Sequence, residues 1–154
     1  MGDRVSISFA QKRSEADRKM FGGPSVDESV VLFHQWGGED LPRIALRYLA
    51  ELKEEGYGNE ESVKELRLRG PLGRLEPSTV MVDFIRWYLK HHHGRQEATG
   101  RVTGDLYLGT DWKDGDNSDN GHYVLCAKTG HIYEHHQYNW ETREQEATFY
   151  SKAS

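Results

Sequence analysis

A buried strand, a glycine turn and a helix start follow one another in the stretch Ser29-Val30-Val31-Leu32-Phe33-His34-Gln35-Trp36-Gly37-Gly38-Glu39-Asp40-Leu41-Pro42. The continuous apolar run contains β-branched residues and predicts an interior strand. Gly37 and Gly38 predict the turn, while Asp40 is expected to cap the helix and Pro42 to lie in its first turn. Strands and helices are therefore expected together in one fold.

The segment before this stretch predicts a second strand. Residues 4–9 alternate in polarity, with Val5, Ile7 and Phe9 on one side, which is typical of a half-buried strand. Residues 10–27 are polar and predict a surface loop. We expect the two strands to pair as neighbours across this loop.

Two principal helices are expected in the middle of the chain. The first starts at Asp40, shows apolar residues at helical spacing through Leu52, and ends at Gly56 and Gly58. A short helix is a further possibility over residues 59–65. The second helix is predicted over residues 77–93, and its apolar residues cover more than one stripe, which predicts burial on several sides.

The last third of the chain predicts short strands. They are expected at residues 105–108, 122–126 and 131–135, the last two flanking a turn at residues 127–130. The tail from Trp140 is left unassigned. This order of elements predicts one α+β domain over residues 1–154, with a mainly antiparallel sheet and two principal helices packed on one face.

Composition narrows the class of protein. The chain has 154 residues, a net charge of -5 and a pI of about 5.9, which disfavours general attraction to nucleic acid. Its one cysteine, Cys126, excludes an intramolecular disulfide. No apolar window is long enough to cross a membrane. We therefore expect a soluble cytoplasmic protein with no membrane partner.

The densest group of oxygen ligands lies in residues 111–121, Asp-Trp-Lys-Asp-Gly-Asp-Asn-Ser-Asp-Asn-Gly. From Asp116 the spacing follows the first half of an EF-hand loop, but the position that needs a glutamate is Ala127. Another divalent-metal site is possible, and the same composition is typical of an exposed turn. The residues predicted as metal ligands are Asp114, Asp116, Asp119, His122 and His135.

The hairpin around Gly130 predicts a second arrangement of histidines. A four-residue turn would place Cys126 opposite His131 and His122 opposite His135. These side chains on one sheet face form a conceivable zinc set, with His136 pointing the other way. A glycine bulge at Gly130 would break this register.

A ligand-binding turn is predicted at His34, Trp36, Gly37 and Gly38. A glycine turn between a strand and a helix can expose backbone N–H groups to an anion. The segment lacks the full glycine pattern of dinucleotide folds and a P-loop lysine. A turn on which Trp36 packs is the alternative.

Three segments resemble a family of small uncharacterised prokaryotic and phage proteins. These are Met1-Gly2-Asp3-Arg4, residues 30–38, and Asp116-Asn117-Ser118-Asp119-Asn120-Gly121-His122-Tyr123. The family begins Met-Gly-Asn-Arg and has a His-Trp-Asn-Gly-Gly motif and a later Asp-Asn-Gly-Asp-Asn-Gly-x-Tyr motif. Here Gln35 precedes Trp36 and no asparagine follows it. The resemblance implies a prokaryotic or viral origin, and it implies that the two loops belong either to the scaffold or to a shared site.

Several functions agree with these features. We expect a binding or accessory protein, because no nucleophile, base and orienting residue occur at a recognisable spacing; whether the chain is an enzyme stays open. The first alternative is a metal-dependent hydrolase or metal-binding protein that uses the acidic loop and nearby histidines. The second is a protein-interaction module, or a homo-oligomer, which acts through an aromatic sheet face. Its aromatic residues are Trp112, Tyr123, Tyr133, Tyr138 and Trp140.

Overall fold

The computed structural model describes residues 2–13, 15–22, 26–58, 70–91, 95–96, 101–102 and 104–149. The strands are β1 (Val5–Lys12), β2 (Val26–Glu28), β3 (Val31–His34), β4 (Arg95–Gln96), β5 (Arg101–Val102), β6 (Leu106–Gly109), β7 (His122–Cys126), β8 (His131–Asn139) and β9 (Glu144–Phe149). The helices are α1 (Glu15–Phe21), α2 (Asp40–Glu54) and α3 (Pro77–His91), and residues 70–73 are also helical.

Seven of the strands form one sheet in the order β6-β3-β1-β7-β8-β9, with β2 also paired to β1, and β4 and β5 form a separate pair. The β1–β7 pair is parallel, and the other pairs in the large sheet are antiparallel. A parallel pair needs a long crossover, which the chain between β1 and β7 supplies. The predicted α+β fold with a mainly antiparallel sheet is confirmed.

The predicted pairing of the first two strands is also confirmed, since Val5 lies opposite His34 and Ile7 opposite Leu32. The predicted surface loop over residues 10–27 is wrong. β1 continues to Lys12, because its last residues pair with β2 through the main chain although their side chains show no alternation. The helix α1 lies in the connection between β1 and β2. Between β2 and β3, the Ser29 hydroxyl accepts a hydrogen bond from the Phe9 N–H at 2.9 Å. This side-chain bond takes the place of a main-chain hydrogen bond between neighbouring strands.

Both predicted helices are present and contribute to the main core. Val5, Ile7 and Phe9 of β1 are fully buried on the side of the sheet that carries α2 and α3. From α2, Leu41, Ala45, Tyr48, Leu49 and Leu52 are buried there. Burial of such side chains is the main favourable term in folding, at about 1.5–3 kcal/mol for each large one.

Two details of the helices differ from prediction. Asp40 is the first residue of α2 rather than its cap; Glu39 holds the cap position and makes no side-chain capping bond. The N–H of Leu41 bonds instead to the Gly37 carbonyl at 3.2 Å. Burial of α3 on several sides is also wrong, because one face is buried while Val82 is 70% exposed. The predicted short helix at 59–65 and the end of α3 beyond residue 91 lie outside the described residues.

The opposite side of the sheet, called here the back face, carries small and polar side chains at its centre. Ser6, Ser8 and Ala10 alternate with the core residues of β1 and are almost fully buried. The segment of residues 110–120 lies against part of this face, where Asn117 donates to the Ser6 hydroxyl at 2.8 Å. Across the described part of the chain, no helix is long and apolar enough to span a membrane.

Candidate functional site

The three segments of the sequence motif meet at one end of the sheet. Because β3 runs antiparallel to β1 and β7 runs parallel to it, β3 ends and β7 begins beside the start of β1. Asp3 connects the two sides: its N–H donates to the Gln35 carbonyl, its carbonyl accepts from Gly38, and its carboxylate accepts from Asn120 at 2.7 Å. We call this region, residues 3–4, 35–38 and 116–120, the motif junction.

Arg4 holds two of the predicted metal ligands at the motif junction. Its guanidinium bonds to the carboxylates of Asp116 and Asp119, the latter at 2.9 Å. The hydrogen bond from the Arg4 side chain lowers the pKa of Asp119. For Asp116, burial opposes the change, but bonds from Ser118 and Arg4 lower the pKa. Both carboxylates are therefore bound by a side chain of the protein itself, and one positive charge is shared between them.

Asp114 serves the local turn. Its Oδ2 accepts hydrogen bonds from the Thr110 hydroxyl at 2.9 Å, the Thr110 N–H at 3.0 Å and the Asp111 N–H at 2.8 Å. The bond from the Thr110 hydroxyl contributes most to the lowered pKa of Asp114. This is the backbone-capping use of aspartate that an exposed turn selects.

His122 is buried inside the back face. Its Nδ1 lies 2.8 Å from the Ser6 hydroxyl and its Nε2 lies 3.1 Å from the Ser8 hydroxyl. Since Asn117 donates to Ser6, the Ser6 proton is left for Nδ1, and Nε2–H donates to Ser8. Burial lowers the pKa of His122 to about 3, so the ring is neutral near pH 7. The imidazole acts as an internal cross-link.

His135 lies on the other side of the sheet from His122. The pair Cys126–His131 is as predicted, but the register shifts between Val124 and Leu125, so that His122 faces His136. The predicted pair His122–His135 is wrong, as is the orientation predicted for His136. Tyr133 is the extra residue, so the bulge lies within β8 rather than at Gly130. His135 stacks on Tyr123 with ring centroids 3.9 Å apart.

The five predicted metal ligands do not converge on one point. Asp116 and Asp119 bind Arg4, Asp114 binds its own turn, and the two histidines lie on opposite faces. Among the residues that the structure describes, no group of three or more His, Cys, Asp or Glu side chains is placed to hold a metal ion.

The predicted ligand-binding turn is filled by the chain itself. The Gly38 N–H donates to the Asp3 carbonyl at 2.8 Å, and a Cβ on Gly38 would lie 2.3 Å from the Asp3 carboxylate. His34 is buried, with Nε2 3.0 Å from the Tyr88 hydroxyl and Nδ1 accepting the Trp36 N–H at 3.1 Å. The Trp36 side chain, 57% exposed, projects from this turn.

The back face also carries a set of aromatic side chains, two of which are largely exposed to water. Two groups of rings lie there, and we call them together the aromatic row: Trp112, His136 and Phe149 form one group, and Tyr138 and Trp140 form the other. Trp112 stacks on His136 with centroids 5.1 Å apart, and Phe149 meets His136 edge-on at 6.3 Å. Trp140 meets Tyr138 at 4.6 Å. Phe149 is 69% exposed and Trp140 is 70% exposed.

Acidic side chains border the aromatic row. Glu134 accepts a hydrogen bond from His136 Nε2 at 2.8 Å. Although Glu28 has exposed surface, loss of water around its carboxylate raises its pKa, and the negative charges of Glu134 and Asp111 raise it further. At the other end of the row, Glu141 lines an open hollow of about 380 Å³ together with Tyr138 and Trp140. Glu146 also reaches this hollow, but it lies opposite Gln137 on the other face of the sheet and accepts a hydrogen bond from Asn139.

Part of this site was visible in the sequence. Trp112, Tyr138 and Trp140 belong to the predicted aromatic set and lie together on the back face. Tyr123 packs on the helix side against His135, and Tyr133 is the bulge residue. Phe149, Glu134 and His136 were missed, because only the shifted register places Glu134 and His136 on the same face as Val124 and His122.

Comparison with known proteins adds no relative: no family model, curated protein or solved structure matches this chain.

Proposed function

We propose that this protein is a binding or accessory protein that contacts a partner protein through the aromatic row. The observation that carries the proposal is a set of aromatic side chains of which two, Phe149 and Trp140, are largely exposed to water while each meets a neighbouring ring edge-on. In this proposal the motif junction holds three segments of the fold together, and the aromatic row provides the contact surface.

The physical case rests on the free energy of exposed apolar surface. Phe149 and Trp140 each leave more than two thirds of their surface in water, at 69% and 70%. Burying such rings against a partner is favourable by about 25 cal/mol for each Å² of apolar area. Tryptophan, tyrosine and phenylalanine are enriched at protein interfaces for this reason.

Pre-organisation adds to the case. β8 and β9 pair over six residue pairs, from Glu134–Phe149 to Asn139–Glu144. His136 is held between the Trp112 ring and the Glu134 carboxylate. Since these side chains are ordered before a partner arrives, less conformational entropy is lost on binding.

A catalytic use of the buried serine–histidine pair has less support. Ser6, Ser8 and His122 are each 0% exposed, so a substrate has no access to the hydroxyl oxygens or the ring in this conformation. An activated nucleophile must reach the atom that it attacks. The pair instead resembles a satisfied polar cross-link in a core.

The proposed place of action is the cytoplasm, and the proposed origin is a prokaryote or a virus. The single cysteine, free and buried, agrees with a reducing compartment. The origin rests on the resemblance to small prokaryotic and phage proteins, whose motif segments form the motif junction of this chain.

Selection from a random-peptide display library tests the proposal. Peptides that bind the wild type should bind a Trp140→Ala, Phe149→Ala variant about tenfold or more weakly, because both anchors of the surface are lost. The matched control is Met20→Ala, Val82→Ala, which removes two side chains that are 76% and 70% exposed elsewhere. Peptides that bind both variants and the wild type equally would contradict the proposal, as would a selection that enriches no binder.

A further inference from the structure

We infer that the partner segment which docks on the aromatic row is basic, with lysine or arginine side chains placed over Trp112 and beside Glu134. This inference rests on the proposed function and specifies its partner. Three features support it. Two belong to the back face: an ammonium group over the Trp112 ring and carboxylates at both ends of the row. The third is the net negative charge of the whole chain.

The first feature is a cation of the chain itself at the position where the cation of a partner would bind. The Nζ atom of Lys113 lies over the Trp112 ring, 5.4 Å from its centroid. Cations are attracted to the electron-rich face of an aromatic ring at separations up to about 6 Å, and tryptophan attracts them best. Because Lys113 is exposed and attached to a turn, a cation from a partner can take its place.

The second feature is the position of the carboxylates. Glu28 lies opposite Ala10 on the back face, where the negative charges of Glu134 and Asp111 raise its pKa and His136 lowers it. A cation that enters beside these carboxylates relieves the repulsion on Glu28. Glu134 is bonded to His136, and its side chain remains 24% exposed. Glu141, in the turn after Trp140, borders the hollow beside that ring. A peptide with basic residues along its length therefore meets negative charge at both ends of the row.

The third feature is the long-range field. The chain carries 25 acidic and 20 basic residues, a net charge of -5. Opposite net charge raises the rate of encounter and orients the partner, whereas an acidic segment would be repelled. Exposed aromatic rings flanked by carboxylates combine the two properties that a lysine or arginine side chain recognises, an apolar surface for its stem and a charge for its head.

Calorimetric titration with three synthetic peptides of equal length tests the inference. They alternate glycine with lysine, glutamine or glutamate. We expect the lysine peptide to bind the wild type about tenfold or more tightly than the glutamine peptide, and the glutamate peptide to bind most weakly. Binding of the lysine peptide should weaken as salt is added.

Charge variants locate the effect. Glu134→Gln should weaken lysine-peptide binding about three- to tenfold, since one partner of a new ion pair is lost. Glu54→Gln, which removes the same charge from an exposed position on α2, is the matched control and should change binding less than about twofold. Lys113→Gln should strengthen binding about two- to threefold, because the competing ammonium is removed. If Glu134→Gln fails to fold, Asp111→Asn takes its place.

Two results would overturn the inference: equal binding of the glutamine and lysine peptides, or equal weakening by Glu54→Gln and Glu134→Gln. The proposed function can fail separately. If the selected library peptides are neutral or acidic and their binding still depends on Trp140 and Phe149, the inference of a basic partner is refuted. The proposal that the aromatic row is a docking surface then stands. Peptide binding that is independent of these two rings would refute both.

Discussion

The motif junction and the aromatic row use polar and aromatic residues in opposite ways. At the motif junction, the carboxylates of Asp116 and Asp119 and the N–H of Gly38 bind other parts of the same chain. At the aromatic row, Phe149 and Trp140 stay largely exposed although their neighbours hold them in place. Residue types that suggest a ligand site can thus serve the fold, while the proposed contact surface consists of residues that are far less conspicuous.

Near the motif junction, the largest effect on stability is expected at Gly121, which follows Asn120 and lies against β8. Gly121 has φ of +80°, and a Cβ there would lie 2.2 Å from the His136 carbonyl oxygen. Gly121→Ala should therefore lower the free energy of unfolding by roughly 3 kcal/mol or more. Denaturant unfolding measures the change.

Gly22→Ala is the matched control for this substitution. Gly22 has φ of +69°, but no atom lies within 4 Å of the added Cβ. The control should cost only the left-handed backbone strain, about 1 kcal/mol. Equal losses for the two variants would mean that the close approach of Gly121 to β8 does not matter.

The next effect is a pH dependence that His122 creates. Its pKa is about 3 in the folded protein and near 6.5 when unfolded, so the unfolded state takes up the proton first. The contribution of His122 to the free energy of unfolding is therefore fully present above about pH 6.5, and it declines as the pH falls toward 3. Between pH 7 and pH 5 the loss from this group should be about 2 kcal/mol.

Comparison with His122→Gln measures this contribution. The amide does not titrate, so the variant should be less stable near pH 7 but should lack the part of the decline between pH 7 and pH 5 that belongs to His122. Parallel stability curves for the wild type and variant across that interval would show that burial of the neutral imidazole has no such consequence.

A smaller effect is expected from the exposed ion pairs of the motif junction. Asp119→Asn removes one of the two negative charges that Arg4 binds, and a pair in contact with water contributes less than about 1 kcal/mol. Because the pKa of Asp119 is lowered in the folded protein, its contribution is present above the ordinary aspartate range and is lost as the pH falls below it. Thermal unfolding at low and high salt should show that the difference between the wild type and variant decreases with added salt.

The smallest effect on stability is expected at the aromatic row. Phe149→Ala should change the free energy of unfolding by less than about 0.5 kcal/mol, because the ring is 69% exposed. Phe33→Ala, which removes a fully buried ring stacked on Tyr107, should cost about 3–5 kcal/mol. A large loss for Phe149→Ala would indicate that the aromatic row belongs to the core and would weaken its role as a docking surface.

Much of the fold was predictable from local patterns. The alternation of Val5, Ile7 and Phe9, and the helical spacing from Leu41 to Leu52, report which side of each element faces the core. The tail after Trp140 was not predictable, because β9 consists of exposed residues and owes its existence to pairing with β8. The same reason explains the missed extension of β1, which pairs with β2 through its main chain.

The candidate site was less predictable than the fold. The sequence contains the acidic loop, the histidines and the aromatic residues, but a one-residue shift in register moves side chains to the opposite face of a sheet. The bulge at Tyr133 makes that shift in β8, so His136 rather than His135 joins Trp112. Nothing in the local sequence specifies on which strand the extra residue will lie.

The sequence by itself determined the class of fold, the helices and the strands with a clear apolar period, since burial of apolar side chains depends on local spacing. Only the tertiary structure decided that the three motif segments meet, that Asp3 and Arg4 occupy their polar groups, and that the aromatic row is exposed. The physical reason is that hydrogen bonds and ion pairs need a partner within about 3–4 Å, and the partners of Arg4 and Asp3 at Asp119 and Asn120 lie more than a hundred residues away in the chain.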